Sequence, residues 1–259
     1  MKPWLDAFDS AWAHAVSDLA YPNLLSFLNQ ESTRRSLVTG GGQPLRFVAQ
    51  SELPPHEAYE AWIAKTGCVP TRDNRHDRLN ALIWLTYPQS KARLNQLQAQ
   101  AISQMGVGPS RGALRDAMTL CDENLLLICA KPLGSMSDSS ASIECEVLIR
   151  QHDWSALFLN HRERWANEWA VFPFGHALLE KLDQPYKSLT AHVLVLDPSR
   201  RTLDECLSES LHEAMTPRDL LVLPVMGIPG WDTASEARDF YSDTSVFRAS
   251  RRTDKRGTT

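Results

Sequence analysis

The sequence predicts an α+β fold: a mostly helical single globular unit with a β-hairpin and a small mixed sheet. Three observations lead there. Stretches with apolar residues at helical spacing outnumber strand-like runs, and the two kinds do not alternate as a doubly wound sheet requires. One run, AHVLVLD at 191–197, has the unbroken apolar character of a buried strand. With 259 residues, 43% hydrophobic and 22% charged, the chain is long and apolar enough to build a sizeable core, which excludes a disordered, collagenous or strongly basic protein.

Each element has a local reason. Leu5, Phe8, Trp12, Ala15, Val16 and Leu19 recur at helical spacing after Pro3, so the first twenty residues read as one amphipathic helix. A short helix carrying Leu24, Leu25 and Leu28 follows from near Pro22, then a turn at Gly40–Gly42 and a strand, LRFVA, at 45–49. The triple glycine lacks the spacing of a phosphate-binding loop and no helix follows it directly. Helices are predicted from Pro54 to Lys65, ending near Gly67, from Asp77 to Tyr87, and from Ser90 to Met105. AMTLCDENLLLICA at 117–130 reads as two strands turning at Asp122, Glu123 and Asn124, the predicted hairpin. A polar loop at 134–142 precedes a helical pair, Ile143–Arg150 and Trp154–Trp165; a strand at 169–174 and a short helix from Gly175 follow. After the 191–197 strand, Thr202 and Glu205 form a capping box for a helix through Leu207 and Leu211. Thr216-Pro217 opens another helical turn, and LPVMGIPGW at 223–231 reads as an ordered irregular loop.

Residues 1–247 read as one domain and 248–259 as a disordered tail. The tail holds five basic residues against one acid, a net +4, which leaves −8 on the rest of a chain whose total is −4. A solvated terminus is the main expectation for this tail, with weak nucleic-acid contact as the sharper alternative, and no other part of the chain carries a strong nucleic-acid signal. No stretch approaches the ~18 apolar residues of a membrane span, and Asp6 and Asp9 interrupt the start where a signal peptide is apolar, so a cytoplasmic protein is expected. The five cysteines are scattered without a C-x-x-C pair, which argues against a disulfide framework or a cysteine-type zinc site.

Chemistry is concentrated in one segment. Arg72, Asp73, Asn74, Arg75, His76, Asp77, Arg78 and Asn80 crowd nine positions ahead of a greasy helix. His76 and Asn80, four apart, share a helical face, with Asp77 about a quarter-turn away. An imidazole beside a carboxylate suits a divalent Zn, Mn or Fe ion, with Asp122 from the hairpin as a further ligand and Asp116, Glu123, His176 and His192 as other donors. Arg72, Arg75, Arg111 and Arg115 offer planar forks for a small phosphate or carboxylate ligand. Each residue also has a structural explanation: Asn74 as N-cap, Asp77 as first-turn acid, arginines paired with Asp73 and Asp77, and His192 as a hydrogen-bonded interior histidine. Ser110 lies outside any G-x-S-x-G elbow, and a cysteine such as Cys121 inside an apolar run is inert.

The blocks PTRDNRHDRLNALIWLTYP, KARLNQLQ, RGALRDAMTLCDEN, FGHALLEKL with PYKSLTAH, and LPVMGIPGW with FYSDTSVFR, in this order, closely resemble a bacterial family catalogued as domain of unknown function 3025. The resemblance covers about residues 20–248. It implies a single family-length unit, and it places Arg72, Asn74, His76, Asp77, Asn80, Arg111, Arg115, Asp116, Asp122 and Asn124 in the family's hallmark blocks. It implies no reaction, cofactor or catalytic residue. Where the family pattern has an aromatic residue, this chain has Cys121, which speaks against a nucleophilic role there.

Two functions follow as expectations. The first is a metal-assisted hydrolase of a phosphate ester or similar anionic substrate, with His76, Asp77 and Asp116 as catalytic groups. In it His76, Asp77 and Asp122 hold a divalent metal ion, and Arg72, Asn74, Asn80, Arg111 and Arg115 bind substrate. The second is a non-catalytic binding or scaffold protein whose His/Asp/Arg cluster is a structural polar network. In that case the eight tryptophans act as core anchors or an interaction surface. Oligomeric state has no signature in the sequence.

Overall fold

The computed structural model describes residues 2–18, 23–105, 112–131, 139–198 and 201–250. The expected first helix is divided: Pro3–Leu5 form a 3-10 turn, and α1 (Ser10–Ser17) starts only after Asp9. The Asp9 side chain accepts from Ala11 N–H and Trp12 N–H, and this local cap competes successfully with helix continuation. Then come α2 (Leu24–Arg34), β1 (Arg46–Ala49), α3 (Tyr59–Thr66), β2 (Cys68–Thr71), α4 (Arg75–Thr86) and α5 (Pro88–Met105). Gly67 ends α3 in the left-handed conformation at φ 75°, as its position predicted, and β2 had no sequence signal strong enough to be read.

The hairpin expected over 117–130 is instead α6 (Gly112–Asn124) running straight into β3 (Leu125–Ala130). Ala117, Met118 and Cys121 are buried on one helical stripe, so the first half has period 3.6 rather than 2, and Asp122–Asn124 are the last turn of a helix. The chain continues through α7 (Ser139–Gln151), α8 (Arg162–Asn167), β4 (Trp169–Pro173), α9 (His176–Lys181), β5 (Thr190–Leu196), α10 (Leu203–Ser210) and β6 (Leu221–Pro224). Residues 139–142 of the expected polar loop are the first turn of α7. The expected helix at 154–165 is a π-helical turn, Ala156–Asn160, leading into α8. Leu223 and Pro224 of the expected irregular loop close β6; Val225–Gly227 after them form a 3-10 turn. Leu19, the expected helix start near Pro22, the loop at 106–111, residues 134–138 of the polar loop and the tail from 251 on lie outside the described residues.

Strand order in the larger sheet is β4-β3-β5-β6; β3 runs parallel to β5, and the other two pairings are antiparallel. All six residues of β3 are buried, as befits a central strand covered on both faces. β1 and β2 form a separate parallel pair. The architecture is α+β in a single globular unit, as the sequence predicts. The helix that organises it is α4. Every residue from Asp77 to Leu85 is buried: Leu79, Leu82 and Ile83 join the larger hydrophobic core, while Ala81, Trp84 and Leu85 join a smaller one built on α2, β1, α3 and β2. A helix apolar on all sides needs cover on all sides, and α4 has it. Among the described residues no helix is long and apolar enough to cross a membrane.

Candidate functional site

The polar segment before α4 is first of all a device for starting that helix. Asn74 is the N-cap, its side-chain oxygen accepting from Asp77 N–H at 2.8 Å. The Asp77 carboxylate takes Arg72 N–H at 2.7 Å and, at 3.0 Å each, the Nε and Nη2 of the same arginine. Arg78, almost fully buried, donates to Asp73, and Arg75 pairs with Asp183 beyond α9. These bonds fix the first turn of α4 and leave one member of the segment, His76, turned toward a different set of partners.

His76 Nδ1 meets Glu180 Oε2 of α9 at 2.9 Å, and its Nε2 faces His176 Nε2 at 3.0 Å, the two rings nearly perpendicular. His176 is the first residue of α9, and its Nδ1 points to Asp122 Oδ2 at 3.9 Å, the last turn of α6. Gly175 makes this approach feasible. A Cβ there would lie 2.5 Å from Asn124 N, Glu123 O and Leu125 N, so only glycine lets the start of α9 rest against the end of α6. Asp122 Oδ1 is ion-paired to Lys91 Nζ, which also donates to Asn80 Oδ1 at 2.8 Å; Asn80 Nδ2 in turn donates to the Tyr59 hydroxyl at 3.2 Å. Asn95, one turn after Lys91 on α5, donates to Glu60 Oε2 at 2.6 Å. A cleft of about 370 Å³ opens over these groups, with Tyr59, Glu60, Arg72, His76, Asp122 and His176 among its walls.

Burial sets the charge states. It pushes the His176 imidazole down to about 4, with Lys91 and His76 adding to the effect against the attraction of Asp122, so His176 is neutral at ordinary pH. Burial also works to raise Asp122, but the Lys91 ammonium and His176 outweigh it and hold this carboxyl below the usual range. Glu60 goes the other way: burial and the charge of Asp122 raise it, against Lys91, Asn95 and Arg115. Burial pushes Cys121 up to about 12, which leaves it no thiolate to attack with. All five cysteines are free and buried.

Glu180 Oε2 stands at hydrogen-bond distance from His76 Nδ1, whereas Asp122 Oδ2 is 3.9 Å from His176 Nδ1, too far for a hydrogen bond, and that buried nitrogen has no hydrogen-bond partner. The two Nε2 atoms face each other at hydrogen-bond distance. A separation of 3.0 Å suits one ring's N–H donating to the other ring's lone pair, and it also suits two lone pairs with a cation between them. Among the described residues no three His, Cys, Asp or Glu side chains converge as a metal cage; what converges is this pair of nitrogens.

The structure thus brings together His76, Asp77, Asn80, Arg72 and Asp122 around one cleft. Asn74 serves as the cap beneath it. Asp116 is exposed on α6 and does not line the cleft; Arg115 lies closer to Glu60, with an Nε that makes no hydrogen bond. Arg111 lies outside the described residues. His192 makes contact with Asn124 instead. Glu60, Tyr59, Lys91 and Glu180 had not been singled out from sequence. For Lys91 a signal existed: with Asn95 four residues on, it puts two polar groups on the buried stripe of α5 beside Leu94 and Leu97. Glu60 offered none, because an acid in a helix's first turn is ordinary.

Fold and site together define an α+β protein with a histidine-bearing polar cleft where the ends of five helices meet. The chain matches the family model described as "Protein of unknown function (DUF3025)" over residues 45–251, and it belongs to that family. A comparison with curated proteins finds no match, and neither does a comparison with solved structures.

Proposed function

We propose that the protein is a cytosolic metal-assisted hydrolase acting on a phosphate ester or similar anionic substrate, with a divalent cation held between His76 Nε2 and His176 Nε2. The single observation that carries this reading is the pair of Nε2 atoms at 3.0 Å, with Glu180 hydrogen-bonded behind His76 and the Asp122 carboxylate 3.9 Å from His176. Two imidazole ligands on a tetrahedral ion stand about 3.3 Å apart, given metal–nitrogen distances of ~2.0–2.1 Å, so the pair needs to open by only a few tenths of an ångström. Imidazole suits Zn, Mn or Fe, and a carboxylate hydrogen-bonded behind the ring, as Glu180 is behind His76, is the usual means of orienting such a ligand.

Asp77 and Asp122 act in this reading from behind. Arg72 and Lys91 already neutralise them, so they position His76 and His176 rather than ligate. A bound divalent ion supplies hydroxide near neutral pH and polarises the phosphoryl oxygen. Glu180 orients His76, burial keeps His176 neutral, and Arg72 at the rim meets the anionic group. The alternative, a non-catalytic protein with a structural polar network, is favoured by the hydrogen bonds that engage Asp77, Asn80, Lys91 and Asn95 internally.

Metal analysis and zinc titration by calorimetry on the full chain, on His76→Ala and on His176→Ala separate the two. The hydrolase reading expects stoichiometric binding that both substitutions abolish, together with phosphate-ester hydrolysis that a chelator stops. Equal metal content in all three proteins sinks it and leaves the structural network.

A further inference from the structure

We infer that Glu60 is the proton donor to the leaving group in this cleft. The inference rests on the hydrolase reading and adds to it the group that a hydrolysis with an alcohol leaving group requires. Glu60 is the second residue of α3, half-buried at the cleft wall. Its Oε2 is held by Asn95 Nδ2 at 2.6 Å, and the same nitrogen donates to Glu60 O at 2.9 Å, so one carboxyl oxygen is anchored and Oε1 is left for the cleft.

The groups around it decide its protonation. From α5 it is faced by Lys91 and Asn95, from α6 by Asp122 and Arg115, and on its own helix it adjoins Tyr59. Lys91 spends its ammonium on Asp122 and Asn80, and among the described residues Glu60 has no ion-pair partner. Of the two carboxyls on this cleft one owns the cation, which divides the roles: Asp122, held by Lys91, is the one kept ionised, and Glu60, with no ion-pair partner among the described residues, is the one that takes a proton more readily. Burial and Asp122 raise the Glu60 carboxyl in agreement with that division. Tyr59 is a poorer donor, since burial and the two carboxyls drive its phenol well above the ordinary value.

The step balances within the cleft. A water oxygen bonds to phosphorus as the ester P–O bond breaks. The electron pair of that bond stays on the alkoxide oxygen, which takes the Glu60 proton and leaves as an alcohol. The proton released by the attacking water passes through solvent back to Glu60, so the net reaction is ester plus water to alcohol plus phosphate.

The test compares the zinc-loaded full chain with Glu60→Gln on two probes, glycerol phosphate, whose alkoxide must be protonated to leave, and 4-nitrophenyl phosphate, whose phenolate leaves unaided. The expected result is a loss on glycerol phosphate larger by on the order of 100-fold than the loss on 4-nitrophenyl phosphate, with the basic limb of the pH–rate profile abolished for the former. Equal losses on both probes overturn the role of Glu60 and leave the hydrolase reading standing, whereas a wild type that cleaves neither probe overturns that reading and this one with it. An infrared band of a protonated carboxyl at neutral pH, present in wild type and missing in Glu60→Gln, supports the proposal without any turnover. Its absence from wild type overturns it.

Discussion

His176 makes the stability of the metal-free protein depend on pH in a way that can be worked out from its surroundings. Its side chain is about 6% exposed at the foot of the cleft, and burial takes the imidazole from 6.5 down to about 4 in the folded state. The unfolded chain binds the proton at pH 6.5 and the folded chain resists it until pH 4, so between these values the unfolded state holds more protons and folding weakens as pH falls. Above 6.5 the full stability is present; below 4 the loss is complete. At ~1.4 kcal/mol for each pH unit between the two values, the loss from this one residue is about 3 kcal/mol, a large share of the stability of a typical domain. Urea unfolding in the presence of a chelator, at intervals from pH 7 to pH 4, measures it. Other groups contribute to the same slope, so the informative quantity is the difference between wild type and His176→Asn. Wild type is expected to lose about 3 kcal/mol more than the variant across the window, whatever the offset between them at pH 7. Parallel curves would refute the placement of a buried neutral imidazole here.

Two further substitutions probe how the site is built. Gly175→Ala puts a methyl group 2.5 Å from three backbone atoms of Glu123, Asn124 and Leu125, none of which belongs to a flexible side chain. It is expected to lower stability by ~1–3 kcal/mol in urea unfolding and to weaken zinc binding as α9 is pushed from α6, and unchanged values for both would contradict the close approach. Asp204 of α10 reaches across to cap α5, accepting from Gln89 N–H and Ser90 N–H at 2.9 Å each and from Ser90 Oγ at 2.7 Å. Asp204→Ala leaves buried donors unpaired and is expected to cost about 1–3 kcal/mol, with amide exchange at the start of α5 accelerated; full protection there would argue against this cap.

What was legible and what was not divide along chain distance. The Asn74 cap, the Thr202–Glu205 capping box and the ends of α4 and α5 are arrangements of neighbours, and the bonds observed are those the residue types announce. The reading went astray where a local pattern admits two periods. Ala117, Met118 and Cys121 fit a short strand as readily as a helix stripe, and what settles them is that α6 packs against α5 and α9, which no spacing in the segment reveals. Asp9 starts α1 as its N-cap, so the segment before it is a separate turn, although the apolar spacing on both sides of Asp9 suggests one helix.

By itself the sequence determined an α+β protein with a large core, a greasy helix preceded by a knot of charged residues, and His76 within that knot. Only the tertiary structure decided what His76 meets. His176 lies 100 residues away, Glu180 lies 104, and Lys91 reaches Asp122 across 31, so these partners are chosen by how α4, α5, α6 and α9 pack rather than by any pattern along the chain. The physical reason is that side-chain periodicity encodes which face of a helix seeks cover. The distance at which two covered faces settle depends on contacts such as the bare Cα of Gly175 against α6, and a pair of imidazoles 3.0 Å apart exists only at that distance.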